Sequence, residues 1–265
     1  MPTLGDKTTL THSAMDRCAD VSSTRRRQAT VLIGFDSAWA NKKNAPGAIC
    51  SVLCDGVGFM DFRPPELIDF DGALYYIQSL QRPDMPTLVA LDQPTLVPNE
   101  TGMRPVARAV ASLISWMGGD VQPANRGLPL FREDAPIHGF LKKLGATEDP
   151  EAARTAKRGL HLMEVFPALA LASLDASFFG RGTGPRYNPA RQKTFRVEHW
   201  RAVIAAAQAE AASFECSSLA AWLDEQRGTP SPKRPTRTVS TPPSACSSLS
   251  VGGLARAISP SPSAT

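Results

Sequence analysis

Three acidic residues stand where a chain seldom tolerates them. Asp36 closes the apolar run Ala29-Thr-Val-Leu-Ile-Gly-Phe-Asp36, and Asp92 closes Pro86-Thr-Leu-Val-Ala-Leu-Asp92. Glu164 lies inside Leu160-His-Leu-Met-Glu-Val-Phe166. An ionised carboxylate against a buried strand is costly unless it is paired, protonated or bound to a cation. Carboxylate oxygens suit hard divalent ions, so three on neighbouring strands make a site for Mg²⁺ or Mn²⁺. Two such ions can activate water and stabilise the leaving oxygen in phosphodiester hydrolysis. Asp36, Asp92 and Glu164 are therefore the candidate catalytic and metal-binding residues. Each also has a plainer reading. Asp36 can cap the loop that follows it, and Asp92, before Gln93-Pro94, can be a turn residue. Glu164 can pair with an arginine such as Arg158.

Basic residues offer a second chemistry. Arg104 and Arg108 are four apart and share a helix face, either to meet a phosphate or as a solvated face. The segment Arg181-Gly-Thr-Gly-Pro-Arg186-Tyr187-Asn-Pro-Ala-Arg191-Gln-Lys193 interleaves cations with an aromatic ring. Arg104, Arg186, Arg191 and Lys193 are the candidates for a nucleic-acid backbone or phosphate. No phosphate-loop signature is present, so ATP has no support. His161 reads as a packed strand residue. His138 and His199 have no nucleophile motif near them.

The elements that must hold these residues follow from periodicity. The run ending at Asp36 is a buried strand. Gly47 to Cys54 and Val57 to Phe62 are two more, joined by the turn signal Asp55-Gly56 as a hairpin. Pro64-Pro65 is expected to end the third strand, and Glu66 to Leu80 has helical spacing. Pro86 to Asp92 is a fourth strand, and Arg104 to Met117 a helix with Val106, Val110, Leu113 and Ile114 on one face. Ile137 to Leu144 is a short helix capped by Gly145. Leu160 to Phe166 is a fifth strand, Ala168 to Leu174 a turn or two of helix, and about 197–212 and 215–227 two alanine-rich helices. The order β-β-β-α-β-α-β-α predicts an antiparallel meander extended by parallel strands. That is a five-stranded mixed α/β sheet of ribonuclease-H-like type with flanking helices. A doubly wound sheet would need a helix between the first two strands, and Ser37 to Pro46 is too short and polar for one.

Residues 1–29 are polar and aperiodic, and 21 of residues 229–265 are Ser, Thr or Pro, so both are expected to be disordered around a domain at 30–228. The basic charge lies in these tails: residues 31–228 hold 20 Lys/Arg against 22 Asp/Glu, so net charge alone gives no footprint for nucleic acid. The five cysteines fit neither a disulfide framework nor a zinc pattern. No apolar run is long enough for a membrane span, and no secretory signal is seen. A cytoplasmic protein without a membrane partner is the expectation.

The pieces Ile33-Gly-Phe-Asp36-Ser-Ala-Trp39, Val89-Ala-Leu-Asp92-Gln-Pro94 with Arg104, Met163-Glu164-Val-Phe-Pro167 and Tyr187-Asn-Pro-Ala-Arg-Gln-Lys193 together resemble the family called domain of unknown function 429. The resemblance covers roughly residues 31–228. It implies a ribonuclease-H-like fold, a nuclease activity, and Asp36, Asp92 and Glu164 as metal-binding acids. Such domains end in an acidic stretch and an apolar helix that supply one more carboxylate, whereas residues 229–265 contain no acid. The alternative is thus a non-catalytic or inactivated member that binds nucleic acid or a protein partner. A third option, an actin-like phosphotransferase, lacks its glycine-rich loop after Asp36. Back-translated with GC-rich codons and read in a shifted frame, residues 233–250 give Ala-Pro-Asp-Gln-Asp-Arg-Leu-Asp-Ala-Ala-Leu-Cys-Leu-Leu-Val-Ala-Leu, an ending of the family's kind. We take the tail, as a hypothesis, for a frameshift product. Sequencing the encoding DNA tests it: a single-base shift restores that ending, or the tail is natural and disordered.

Overall fold

A computed structural model of the 265-residue chain describes residues 28–37, 39, 46–56, 59–189 and 191–229. The segments read as a leader and a tail lie almost wholly outside the described residues. β1 (Thr30–Asp36) and β2 (Gly47–Cys54) pair antiparallel from Thr30 opposite Cys54 to Asp36 opposite Ala48. β3 (Phe59–Ile68) adds to β2 in the same sense. β4 (Pro86–Leu91) runs parallel to β1, and β5 (Gly159–Glu164) parallel to β4. The sheet order is β3-β2-β1-β4-β5, a five-stranded mixed sheet as the element order implies. Asp55-Gly56 begins the β2–β3 connection with Gly56 at φ 90°, a conformation open to glycine.

Both faces of the central strands are apolar because helices lie on each side. On the first face Ile33, Phe35, Val89, Leu91 and Leu162 meet α1 (Phe70–Leu80) and α3 (Pro136–Leu144). Phe35, Phe70 and Phe140 form its centre, with Phe70 stacked on Phe140 at 4.9 Å and Phe35 at 5.6 Å from Phe140. Burying each such ring contributes about 1.5–3 kcal/mol. On the second face Leu32 and Val52 meet Trp200, Ile204 and Ala207 of α6 (Val197–Ser213) and Leu219 and Leu223 of α7 (Ser217–Gly228). These two helices cover the β1–β2–β3 side. They reach Leu88 of β4, and the rest of the second face over β4 and β5 borders an open groove.

Four local expectations are corrected. β3 does not stop at Pro64-Pro65 but runs on to Ile68, because it is the edge strand and a proline there need give no ladder hydrogen bond. The following helix therefore starts at Phe70, with Asp69 accepting from the Gly72 N–H at 2.9 Å. α2 (Pro105–Trp116) buries only Ala107 and Ile114 fully, while Val106 is 60 % exposed, so its expected apolar face is split between the domain and the groove side. A short helix, α4 (Pro150–Thr155), was not expected; Asp149 caps it by accepting from Glu151 and Ala152 N–H. α5 (Pro167–Leu174) and a 3-10 turn at Ala176–Phe178 lead towards α6. No helix among the described residues is long and apolar enough to cross a membrane. Cys50, Cys54 and Cys216 are buried and form no disulfide among the described residues.

One polar pair is sealed inside the first layer: the Ser51 and Tyr76 hydroxyls lie 2.9 Å apart. Burial pushes Tyr76 from its ordinary 10.0 to about 12. Because the folded value lies above the unfolded one, this contribution to stability is complete below pH 10 and is lost as pH rises towards 12. Tyr76→Phe should strand the Ser51 hydroxyl and cost about 1–2 kcal/mol at neutral pH. It should also flatten the alkaline limb of a denaturant-melt pH profile. An unchanged limb would mean that Tyr76 is not the group responsible.

Candidate carboxylate site

Asp36 and Asp92 owe their placement to one register. β1 and β4 pair in parallel with Phe35 beside Leu91, and the next residues are the two aspartates. The Asp92 N–H donates to the Phe35 carbonyl at 2.9 Å, so the ladder continues to the point where the acids begin. Adjacent strands lie about 4.8 Å apart, and neighbours in register share a face. Burial, then the nearby charges of Asp36 and Glu164, push Asp92 well above the ordinary carboxylate range. An acid held in this way costs the fold stability as pH rises above its unfolded value, unless a proton or a cation compensates.

The loops after both strands are tied together. Ser37 donates to the Gln93 side chain, and both residues are buried, Gln93 at 1 % exposure. The Trp39 indole N–H donates to the Asp92 carbonyl at 2.7 Å, and its ring meets Phe131 edge-on at 5.7 Å. Trp39 adopts φ 64°, the left-handed region that costs an ordinary residue about 1–2 kcal/mol. Its backbone N–H to Ser37 Oγ at 3.2 Å and its indole bond offset that strain. Gly47 completes the fit from the other side: a Cβ there would meet the Asp36 carbonyl at 2.3 Å.

Glu164 sits level with Leu91, one position short of the aspartates. Strand alternation turns it aside from them, towards α2 and the loop after β4. There it meets Arg104 in a two-point ion pair, Nη1 to Oε2 at 2.8 Å and Nη2 to Oε1 at 2.5 Å. The Thr95 N–H donates to Oε2 at 3.1 Å, and the Thr95 hydroxyl donates to Glu148. Arg104 also donates to the Leu96 carbonyl at 3.2 Å and is 8 % exposed. The paired arginine is thus Arg104, not Arg158. Arg104 itself is neither a free phosphate ligand nor part of a solvated face, because its two terminal nitrogens are spent on Glu164 and Leu96. Arg108 is exposed, as the solvated reading had it.

Arg186, Arg191 and Lys193 are exposed on the loop before α6, and the first two line the groove. The groove has a volume of about 1530 Å³ and includes Asp92, Glu164 and Glu148. Among the described residues no group of three or more His, Cys, Asp or Glu is placed to hold one metal ion. The pair Asp36 and Asp92 is what the structure brings together, and Glu164 is within electrostatic reach of Asp92. Thr95 and Glu148 escaped the sequence reading. Thr95 follows the Asp92-Gln-Pro turn and was within sight of it; Glu148, beside a helix cap, carries no local signal. Compared with protein-family models, curated proteins and solved structures, the chain matches none.

Removing one member of this ion pair, whose side chains are 10 % and 26 % exposed, leaves the other partly buried and unpaired. Arg104→Met should therefore destabilise the fold by about 1–3 kcal/mol, and Arg104→Met/Glu164→Gln should recover part of that loss. Denaturant melts of both variants measure it. Equal losses in the two would mean that Glu164 depends on other partners.

Proposed function

We propose that this chain is a ribonuclease-H-like, metal-dependent hydrolase of nucleic-acid phosphodiester bonds. One observation carries the reading: Asp36 and Asp92 end adjacent parallel strands at the centre of the sheet, on one face. The order β3-β2-β1-β4-β5, with its antiparallel meander first, supports it. So does the resemblance of the segments around both aspartates to domain of unknown function 429. Two carboxylates fit Mg²⁺ or Mn²⁺, since Mg²⁺ is commonly held by one or two carboxylates with water and substrate phosphates. When bound, the ion supplies Lewis-acid activation of water and charge neutralisation at the leaving oxygen. Asp36 and Asp92 would hold it. Glu164 acts through Arg104 as a positioning residue that fixes α2 and the loop after β4. Arg186, Arg191 and Lys193 meet the phosphate backbone by charge.

The engagement of Glu164 favours a second reading, in which the chain binds nucleic acid or a protein partner without cleaving it. Two acids in place of three leave the metal more weakly held. Mn²⁺ titration by calorimetry, on wild type beside Asp36→Asn, separates the two. The nuclease reading expects stoichiometric binding that the substitution removes, with Mn²⁺-dependent cleavage lost alongside it. A folded wild type that takes up no Mn²⁺ refutes that reading and leaves the binding protein.

A further inference from the structure

We infer that the outer face of α2 and the loop before α6, outside the groove, bind an unpaired nucleic-acid strand, its phosphates on arginines and a base on Trp116. This names the form of the substrate, and it rests on the nuclease reading for cleavage but not for binding.

The chain separates its charges. From Thr101 to Gly119 it carries Arg104 and Arg108 and no acid, and from Ala176 to Val197 five cations and no acid. The rest of residues 31–228 holds 13 Lys/Arg against 22 Asp/Glu, so a near-neutral total conceals a stretch of one sign. The fold joins the two cationic segments. The Gly182 N–H donates to the Trp116 carbonyl at 2.8 Å, and the Gly184 N–H to the Met117 carbonyl at 2.7 Å. Gly182 adopts φ 70°, and a Cβ on Gly184 would meet the Met117 carbonyl at 2.6 Å. The glycines of Arg181-Gly-Thr-Gly-Pro185 thus let the loop lie against the end of α2. Farther on, the Arg196 N–H donates to the Arg186 carbonyl at 2.8 Å and the Arg186 N–H to His199 Nδ1 at 2.9 Å. Both bonds fix the loop on the first turn of α6.

Arg108, Arg181, Arg186 and Arg196 are exposed, and none forms an ion pair among the described residues. Arg181 shares a shallow depression with Ser112, Ser115 and Trp116 of α2. Arg108 stands one turn before Ser112 on the same helix stripe. Guanidinium groups and hydroxyls match phosphate oxygens. Trp116 is 43 % exposed and meets Phe179, 54 % exposed, edge-on at 5.6 Å. An exposed indole beside arginines gives a base a flat apolar surface. A duplex keeps its base faces within its own stack and would use the cations alone, so the indole selects an unpaired strand. Asp120, Asp175 and Glu198 stand at the borders of the two segments, not within them. The face also starts at the carboxylate site: Arg104 heads α2 and holds Glu164, level with Leu91. Trp116 lies about 18 Å farther on at 1.5 Å per residue. A strand is the polyanion that can lie on these cations and still present a phosphodiester to Asp36 and Asp92.

The test uses the full chain in EDTA, with fluorescein-labelled single strands of DNA and RNA and the matching duplexes, read by anisotropy. Arg108→Glu and Arg181→Glu should each weaken single-strand binding at least about threefold and lower its salt slope by roughly 0.7 or more. Trp116→Ala should weaken it at least about fivefold and leave duplex binding within about twofold. Lys142→Glu, on α3 at the other face of the sheet, should change neither. Thermal melts confirm that the variants fold. A bromouracil-substituted strand should crosslink wild type within residues 105–117 or 179–196, which needs no variant. Wild-type affinity in all three variants overturns the inference, as does crosslinking confined to other segments. Equal losses for duplex and single strand in Trp116→Ala overturn it, and so does binding to phosphatidylserine vesicles but not to oligonucleotides. Single-strand binding that depends on these residues, without Mn²⁺-dependent cleavage, upholds the face and removes the nuclease. Cleavage that the three variants leave unchanged removes the face and keeps the nuclease.

Discussion

The parallel pairing of β1 with β4 is the constraint on which the rest depends. Each rung sets one residue of Val31–Phe35 beside one of Thr87–Leu91, and the rung after the last puts Asp36 next to Asp92. Neither strand can tolerate charge along its length, because helices cover both faces of the sheet's centre. The chain therefore introduces its first acids at the strand ends, where Asp36 and Asp92 are partly buried side by side. The burial of Asp92 and its repulsion by Asp36 and Glu164 make it hold a proton more readily than a surface acid does.

Such a pair is useful only if it cannot relax apart. The Ser37–Gln93 bond and the Trp39 indole reaching the Asp92 carbonyl hold the two loops to each other. Arg104 and Glu164 do the same for β5, α2 and the loop after β4. A buried ion pair is a modest source of stability compared with an apolar replacement, but it is demanding about geometry. That trade favours one arrangement of the walls around the aspartates over many.

The two faces of the sheet are unequal. α1 and α3 close the first over an aromatic centre, whereas α6 and α7 close the β1–β2–β3 part of the second and reach only Leu88 of β4. The apolar surface left over β4 and β5 adjoins the carboxylates directly. The surface that the helices leave uncovered is the surface that leads to Asp92.

Much of this architecture was legible along the chain. Continuous apolar runs ending in Asp36 and Asp92, the turn at Asp55-Gly56 and the cap at Gly145 depend on neighbours in sequence, so local pattern determined them. Pro64-Pro65 misled because a proline ends a central strand but not an edge strand, and only the sheet order reveals which one it occupies. The split face of α2 depends on which elements pack against it. The partner of Glu164 was legible only as some arginine. That it is Arg104, sixty positions away, with Thr95 and Glu148 beside it, was decided by tertiary structure. By itself the sequence determined the strands, their order and the acids at their ends, since these follow from periodicity and the cost of burying charge. Tertiary structure alone decided which carboxylates meet, which are neutralised and which face stays open. Lateral register and ion-pair choice are contacts between distant segments, and they leave no mark in either segment alone.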